Sequence, residues 1–372
     1  MMNKQAYQNA VRDVIYLAGC AVNGIVPDAA RVQAMDLEAL YRVANRHLLT
    51  AITAMALESA GVRDQAFTQA KGKAIRKLAV MDADMAALFK RFDSAGIWYV
   101  PLKGAVLKGL YPAYGMRQMS DCDILFDAKR ADDVKAIMMA MGFSCKSFGV
   151  FNHDVYHMKP VSNFEMHRAL FIAGTFKEMA AFYRDVETRL IPGPGCSRRF
   201  SDEDLYVYIT AHEYKHYSDS GTGLRSILDT YVFLKRYSDT LNWETVAADL
   251  EKLGIADFER RNRSLATHLF GGGTLTPEDQ AMLQYVVNSG TYGTLQNSVE
   301  KRIDKLGGGR RGKLKFALGR VFKPLEDVKA VYPFYYRHKA LLPVLFVWRV
   351  MKGLTVKRKK VWAEFKVLTK KG

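Results

Sequence analysis

One stretch, PLKGAVLKGLYPAYGMRQMSDCDILF at residues 101–126, constrains the fold of this chain more than any other. An apolar, partly β-branched run from Ile97 to Leu102 leads straight into Lys103-Gly104. That pattern predicts a strand ending in a tight turn at the start of a helix, which then runs from Ala105 to about Tyr111. Past Pro112 and Gly115 the chain returns to a strand in which Asp121 and Asp123 alternate with Cys122 and Ile124. Side chains alternate across a strand, so both carboxylates share one face while Ile124 enters a core.

Two carboxylates held side by side repel, and a fold tolerates them cheaply only with a cation or a basic group between them. Magnesium suits the position, because it takes one or two carboxylates and fills its octahedron with water and phosphate oxygens. A third carboxylate comes from NFEMHRAL at 163–170, a short strand with Glu165 and His167 on one face and Phe164 and Met166 on the other. Lys103, Arg117 and Ser120 are candidate phosphate contacts, with surface charges and a turn residue as the plainer reading of each.

The order K-G, then R-x-x-S-D-x-D with an apolar run, then apolar-E-apolar-H, resembles the poorly characterised nucleotidyltransferase family of the DNA polymerase β-like superfamily. The resemblance covers residues 85–240 best. It implies that Gly104 forms the turn holding a nucleoside triphosphate, that Asp121 and Asp123 bind two Mg2+ ions (or Mn2+), and that Glu165 is the third acid. One position departs: the superfamily usually has Ser or Gly after the first glycine, and here it is Ala105. A hydroxyl contact to phosphate is thereby lost, leaving backbone N–H groups or Lys103 to serve.

Composition adds a boundary. The net charge is +17, and residues 301–372 carry 21 Lys and Arg against 4 acids, so the whole excess lies in that tail and the first 300 residues balance to zero. A neutral body with a basic appendage points to phosphate, on an anionic membrane or a polyanion, as the tail's partner. The four cysteines show no C-x-x-C spacing and no secretory leader pattern opens the chain, which predicts a cytoplasmic protein, peripheral at most to the inner face of a membrane.

The expected architecture is α+β: a helical region over 1–84, a small mixed-sheet nucleotidyltransferase core over 85–190, a helical domain over 200–306 and the basic tail over 307–372. Lys129 to Met141 reads as a crossover helix, Phe143–Phe148 and Val155–Lys159 as strands, and Ile191-Pro-Gly-Pro-Gly as a linker. A capped helix starts at Ser201, and Leu224 to Tyr237 is a second. Arg225 and Asp229, four apart on that helix, fit a structural ion pair or accessory site groups. Ala340 to Leu354 is too short and interrupted to span a bilayer, but with Lys357-Arg-Lys-Lys after it an interfacial helix is a reasonable reading.

A rival motif is present. His212-Glu213-Tyr-Lys-His216 matches H-E-x-x-H, the zinc-hydrolase spacing, though position 222 is Thr where a third ligand is wanted. The preferred reading is transfer of a nucleoside monophosphate, AMP from ATP, to a hydroxyl acceptor: a surface-polysaccharide precursor, a protein or an RNA end. A second reading, kept open by Ala105, makes the core a nucleotide- or polyanion-binding module without turnover.

Overall fold

A computed structural model describes residues 3–172, 176–291, 293–322 and 332–355, together with Leu325, Val328, Lys329, Arg358 and Trp362. Lys357, Lys359 and Lys360 of the terminal basic run lie outside the described residues. The chain divides into two compact units, one comprising 1–214 with 223–291 and the other 215–222 with 292–372.

The first unit opens with helices α1 (Lys4–Asn23), α2 (Ala29–Gln33), α3 (Leu37–Arg46), α4 (Thr50–Ser59) and α5 (Gln65–Ala95). Asp36 and Asp64 start α3 and α5 with their carboxylates accepting the backbone N–H groups of Ala39 and Phe67, which satisfies donors a helix start otherwise leaves bare. Gly96, at φ 65°, ends the 31-residue α5 in the left-handed conformation that glycine adopts without a Cβ penalty.

The chain then builds β1 (Tyr99–Pro101), α6 (Gly104–Leu107), β2 (Cys122–Phe126), α7 (Ala131–Ala140), β3 (Ser144–Ser147), β4 (His153–Met158) and β5 (Ser162–His167). These five strands form one mixed sheet in the order β1-β2-β5-β4-β3, parallel only at β2 with β5. The fold is therefore α+β, with a small mixed sheet flanked by helices. Ile124, Phe126, Tyr156, Phe164 and Met166 pack with Leu78, Met81, Leu88 and Phe92 of α5 and with Val134 and Met138 of α7. Burying a Phe such as Phe126 or Phe164 contributes about 1.5–3 kcal/mol, and this apolar face holds the sheet rigid.

β4 begins at His153, two residues earlier than the apolar pattern predicts, because His153 and Asp154 pair with His167 and Met166 of β5. Residues 191–195 do not form an open linker. β6 (Leu190–Pro192) pairs antiparallel with β7 (Arg198–Phe200), and the connecting turn docks on β1, where Tyr99 N–H donates to Cys196 C=O at 3.3 Å. Pro and Gly mark a change of direction, and composition alone does not separate a hairpin turn from a linker.

α8 (Lys177–Phe182), α9 (Asp202–Asp219), α10 (Leu224–Tyr237), α11 (Trp243–Lys252), α12 (Ala256–Gly271) and α13 (Pro277–Ser289) follow. Leu205, Tyr206, Tyr208 and Ile209 of α9 join Val100, Leu102 and Leu125 in a core over the second face of the sheet.

In the second unit, α14 (Leu295–Lys305) and α15 (Gly309–Val321) pack through Val299, Ile303 and Phe316, and α16 (Pro333–Arg337) and α17 (Leu342–Thr355) follow. Leu314, Leu318, Phe322, Val347, Trp348 and Met351 are exposed. No helix among the described residues is long and apolar enough to cross a membrane.

Candidate active site

The site lies on the second face of the sheet, at the ends of the two parallel strands. Asp123 on β2 stands directly across from Glu165 on β5, and Leu125 across from His167. Neighbouring strands lie about 4.8 Å apart, so the two carboxylate-bearing residues are adjacent. Asp121 precedes β2 by one residue and Asp123 by two. The register thus brings together Asp123 and Glu165 from separate sequence segments, with Asp121 two residues before Asp123.

Lys103 reaches the same place by an unusual backbone. It occupies the first central position of a turn closed by Ala105 N–H donating to Leu102 C=O at 3.0 Å, with φ 48° and ψ −118°. This geometry normally calls for glycine. The Lys103 Nζ donates to Asp123 Oδ1 at 2.6 Å, and His167 Nε2 lies 2.8 Å from the same oxygen. Burial opposes ionisation of Asp123, but the Lys103 ammonium and the His167 ring outweigh it and hold the carboxyl far below the usual range. Asp121 goes the other way: burial, then the charge of Asp123, raise its pKa against the pull of Lys103, Arg225 and Arg117. Burial and then the Lys103 charge lower His167 to about 4, so the ring is neutral at physiological pH.

Gly104 is required by close packing. A Cβ there would lie 2.8 Å from both Sδ and Cε of Met119 and would strike the Arg117 guanidinium. Arg117 is buried and committed elsewhere, its Nε and Nη2 donating to Asp229 Oδ1 and Oδ2 at 2.7 and 2.8 Å. Tyr111 Oη donates to Asp229 Oδ1 at 2.7 Å. Asp229 therefore pairs with Arg117, not with Arg225 as the four-residue helical spacing suggests. Arg225 instead donates from Nη1 to Gln118 C=O at 3.0 Å, while its buried Nε has no partner. Ser120 presents its carbonyl to Lys77 Nζ at 2.8 Å.

Two further side chains on this face escape sequence reasoning. His153, across from His167, lies with Nε2 3.6 Å from Glu165 Oε2. Its signal was the alternation of His153, Val155 and His157, legible only once the strand is extended two residues toward its start. Tyr208 on α9 is buried against the site; burial, then the charges of Asp123 and Glu165, push its phenol well above the usual range.

The donor set fits hard divalent cations. Strand register sets Asp123 beside Glu165, and Asp121 bears a repulsion from Asp123 that a cation would relieve. The zinc motif is not assembled. Glu213 is buried, accepts from Thr230 Oγ1 and Asn262 Nδ2 at 3.2 Å each, and is raised to about 8 by burial and then Asp229. Among the described residues, the one group of three His, Cys, Asp or Glu side chains with metal-ligand spacing is His153, Glu165 and His167.

No curated protein and no solved structure matches the chain. The model of a family described as uncharacterised nucleotidyltransferase matches residues 33–271, a span that contains every side chain of the site described above. The chain belongs to this nucleotidyltransferase family, and is by that membership a transferase of nucleotidyl groups.

Proposed function

We propose that the protein moves a nucleoside monophosphate, AMP from ATP, onto a hydroxyl acceptor and releases pyrophosphate, with Mg2+ held by Asp121, Asp123 and Glu165. The observation that carries this reading is the parallel register placing Asp123 beside Glu165, with Asp121 two residues before it. Bound there, magnesium supplies Lewis acidity to the phosphate oxygens and to the acceptor oxygen. The acceptor oxygen attacks the α-phosphorus, the bond from that phosphorus to the β-phosphate oxygen breaks, and Glu165 takes the acceptor's proton. Lys103 leaves Asp123 for the triphosphate and neutralises the charge that grows on the leaving pyrophosphate. Arg225, with its unpartnered Nε near Asp121, supports the same phosphates. Arg117 acts from behind, fixing the turn through Gly104 and Asp229.

The test is release of pyrophosphate from ATP together with uptake of α-phosphate label by a fraction of cell lysate. Wild-type protein should label an acceptor in Mg2+, and Asp121→Asn and Asp123→Asn should not. Nucleotide binding without release of pyrophosphate by any fraction would support the binding-module reading, which Ala105 keeps open.

The second unit bears on where the acceptor is met. Its exposed apolar side chains, with Arg310, Arg311, Lys313, Lys315 and Arg320 on α15, suit an anionic bilayer surface. Co-sedimentation with phosphatidylglycerol vesicles that fades with added salt supports this placement, and the same recovery with neutral vesicles removes the electrostatic part.

A further inference from the structure

We propose that His153, Glu165 and His167 form a second cation site that takes a borderline divalent ion, of the class of Co2+ or Zn2+, in preference to Mg2+. Glu165 then lies between two unlike positions, one of carboxylates with Asp121 and Asp123 and one lined by imidazole. The role of this ion in transfer rests on the transferase reading; its binding does not.

The geometry begins with register. His153 and His167 are direct partners on antiparallel β4 and β5, and Glu165 is two residues from His167 on the same face. The two rings lie 5.0 Å apart between centroids. The Nε2 atoms of His153 and His167 are 3.6 and 3.9 Å from the same oxygen, Glu165 Oε2, and all three ligand atoms lie within 4.8 Å of one another. Two ligands each about 2.1 Å from one ion are at most about 4.2 Å apart. Both contacts to Glu165 meet that limit, and the third span, within 4.8 Å, would close to it as the ion binds.

The ligand chemistry selects the ion. Neutral imidazole suits Zn2+ and the later first-row ions such as Co2+, whereas Mg2+ and Mn2+ favour oxygen donors and Mg2+ holds its water. His167 takes up an ion at Nε2 by giving up its bond to Asp123 and carrying its proton on Nδ1, which has no partner in the structure.

The framework is also stiff where a site needs it. Asn152 C=O accepts the N–H groups of Arg168 and Ala169 at 2.8 and 3.2 Å, and Asn152 Nδ2 donates to Ala169 C=O at 2.9 Å. These bonds pin the two strand ends that carry the histidines. On the opposite face, buried Asp154 accepts from Arg168 Nε at 2.8 Å and from Gly149 N–H at 2.6 Å, fixing the face on which His153 emerges.

The experiment strips full-length protein with a chelator and titrates it with Co2+, without nucleotide and with millimolar Mg2+ present, reading visible absorption. One Co2+ should bind per chain despite the Mg2+. His153→Ala and, separately, Glu165→Gln should each weaken binding at least about tenfold, while Asp121→Asn should leave it within about twofold. Circular dichroism of His153→Ala, a residue near the sheet surface, confirms that the variant folds. Absence of one-to-one Co2+ binding in the wild-type protein, or binding by His153→Ala as tight as wild type, would overturn the proposal. Co2+ binding that depends on His153, in a protein releasing no pyrophosphate with any fraction, would uphold the site and sink the transferase reading. Pyrophosphate release in Mg2+ without a Co2+ site would do the reverse.

Discussion

Two buried ion pairs are anchored in the segment from Leu102 to Asp123, and they are built to different ends. Arg117 and Asp229 meet through two parallel N–H···O bonds, Tyr111 adds a third, and both carboxylate oxygens are occupied. This pair ties the turn region to α10 and leaves Asp229 nothing to offer a substrate. Lys103 and Asp123 meet through one oxygen that His167 also claims, next to Asp121 and Glu165, and the ammonium comes from a flexible chain on an uncommon backbone. A closed, two-pronged pair is architecture. A crowded one, with several acids and a cation able to leave, is poised to exchange partners.

The sharpest way to break that comparison is to remove one carboxylate from each cluster. Asp123→Asn should lower pyrophosphate release roughly a thousandfold or more, about 4 kcal/mol of transition-state stabilisation, while circular dichroism shows a folded protein. Asp229→Ala should do the opposite, costing about 3–5 kcal/mol of stability in urea unfolding because the Arg117 charge is left buried and unpaired. Were Asp229→Ala stable but inactive, the roles assigned to the two pairs would be exchanged.

Acid provides an internal control outside both clusters. His47 is fully buried and its Nδ1 accepts from Leu224 N–H at 3.2 Å, so the ring is neutral. Burial, then the nearby Arg46 charge, lower its pKa from 6.5 to about 4. A folded-state pKa below the unfolded value gives stability that is complete above pH 6.5 and lost as the pH falls toward 4, here roughly 3 kcal/mol at most. His47→Asn, whose Oδ1 can accept the same N–H, should flatten that part of the stability profile.

Smaller effects probe the turn between the pairs. Gly104→Ala pushes a methyl group into Met119 and Arg117 and should cost about 1–3 kcal/mol, disturbing the Arg117 side more than the carboxylates. Lys103→Gly and Lys103→Ala both lose the ammonium, but only glycine accepts the positive φ without strain. Lys103→Gly should therefore unfold at higher urea, by about 1 kcal/mol, and equal midpoints would show the backbone to be unstrained.

Much of the first cluster is legible in the sequence because its members sit in short local patterns. Period-two alternation puts Asp121 and Asp123 on one face and Glu165 with His167 on another strand's face, and Lys103-Gly104 announces the turn. What the sequence lacks is the pairing of strands. His153 is brought to His167 by antiparallel register across a connection, and no local pattern encodes that contact. Asp229 lies four residues from Arg225, a helical spacing that favours their pairing, yet the long-range approach of Arg117 and Tyr111 takes both its oxygens. Glu213 shows the reverse failure. Its motif is local and intact, but the packing of α9 turns it into the interior, where Thr230 and Asn262 hold it.

The most direct test is a crystal structure with Mn2+ and an α,β-methylene analogue of ATP, located by anomalous scattering. The account predicts manganese bridging Asp121, Asp123 and Glu165, with Lys103 moved from Asp123 to the triphosphate. A nucleotide bound away from these carboxylates, with Lys103 still on Asp123, would contradict it.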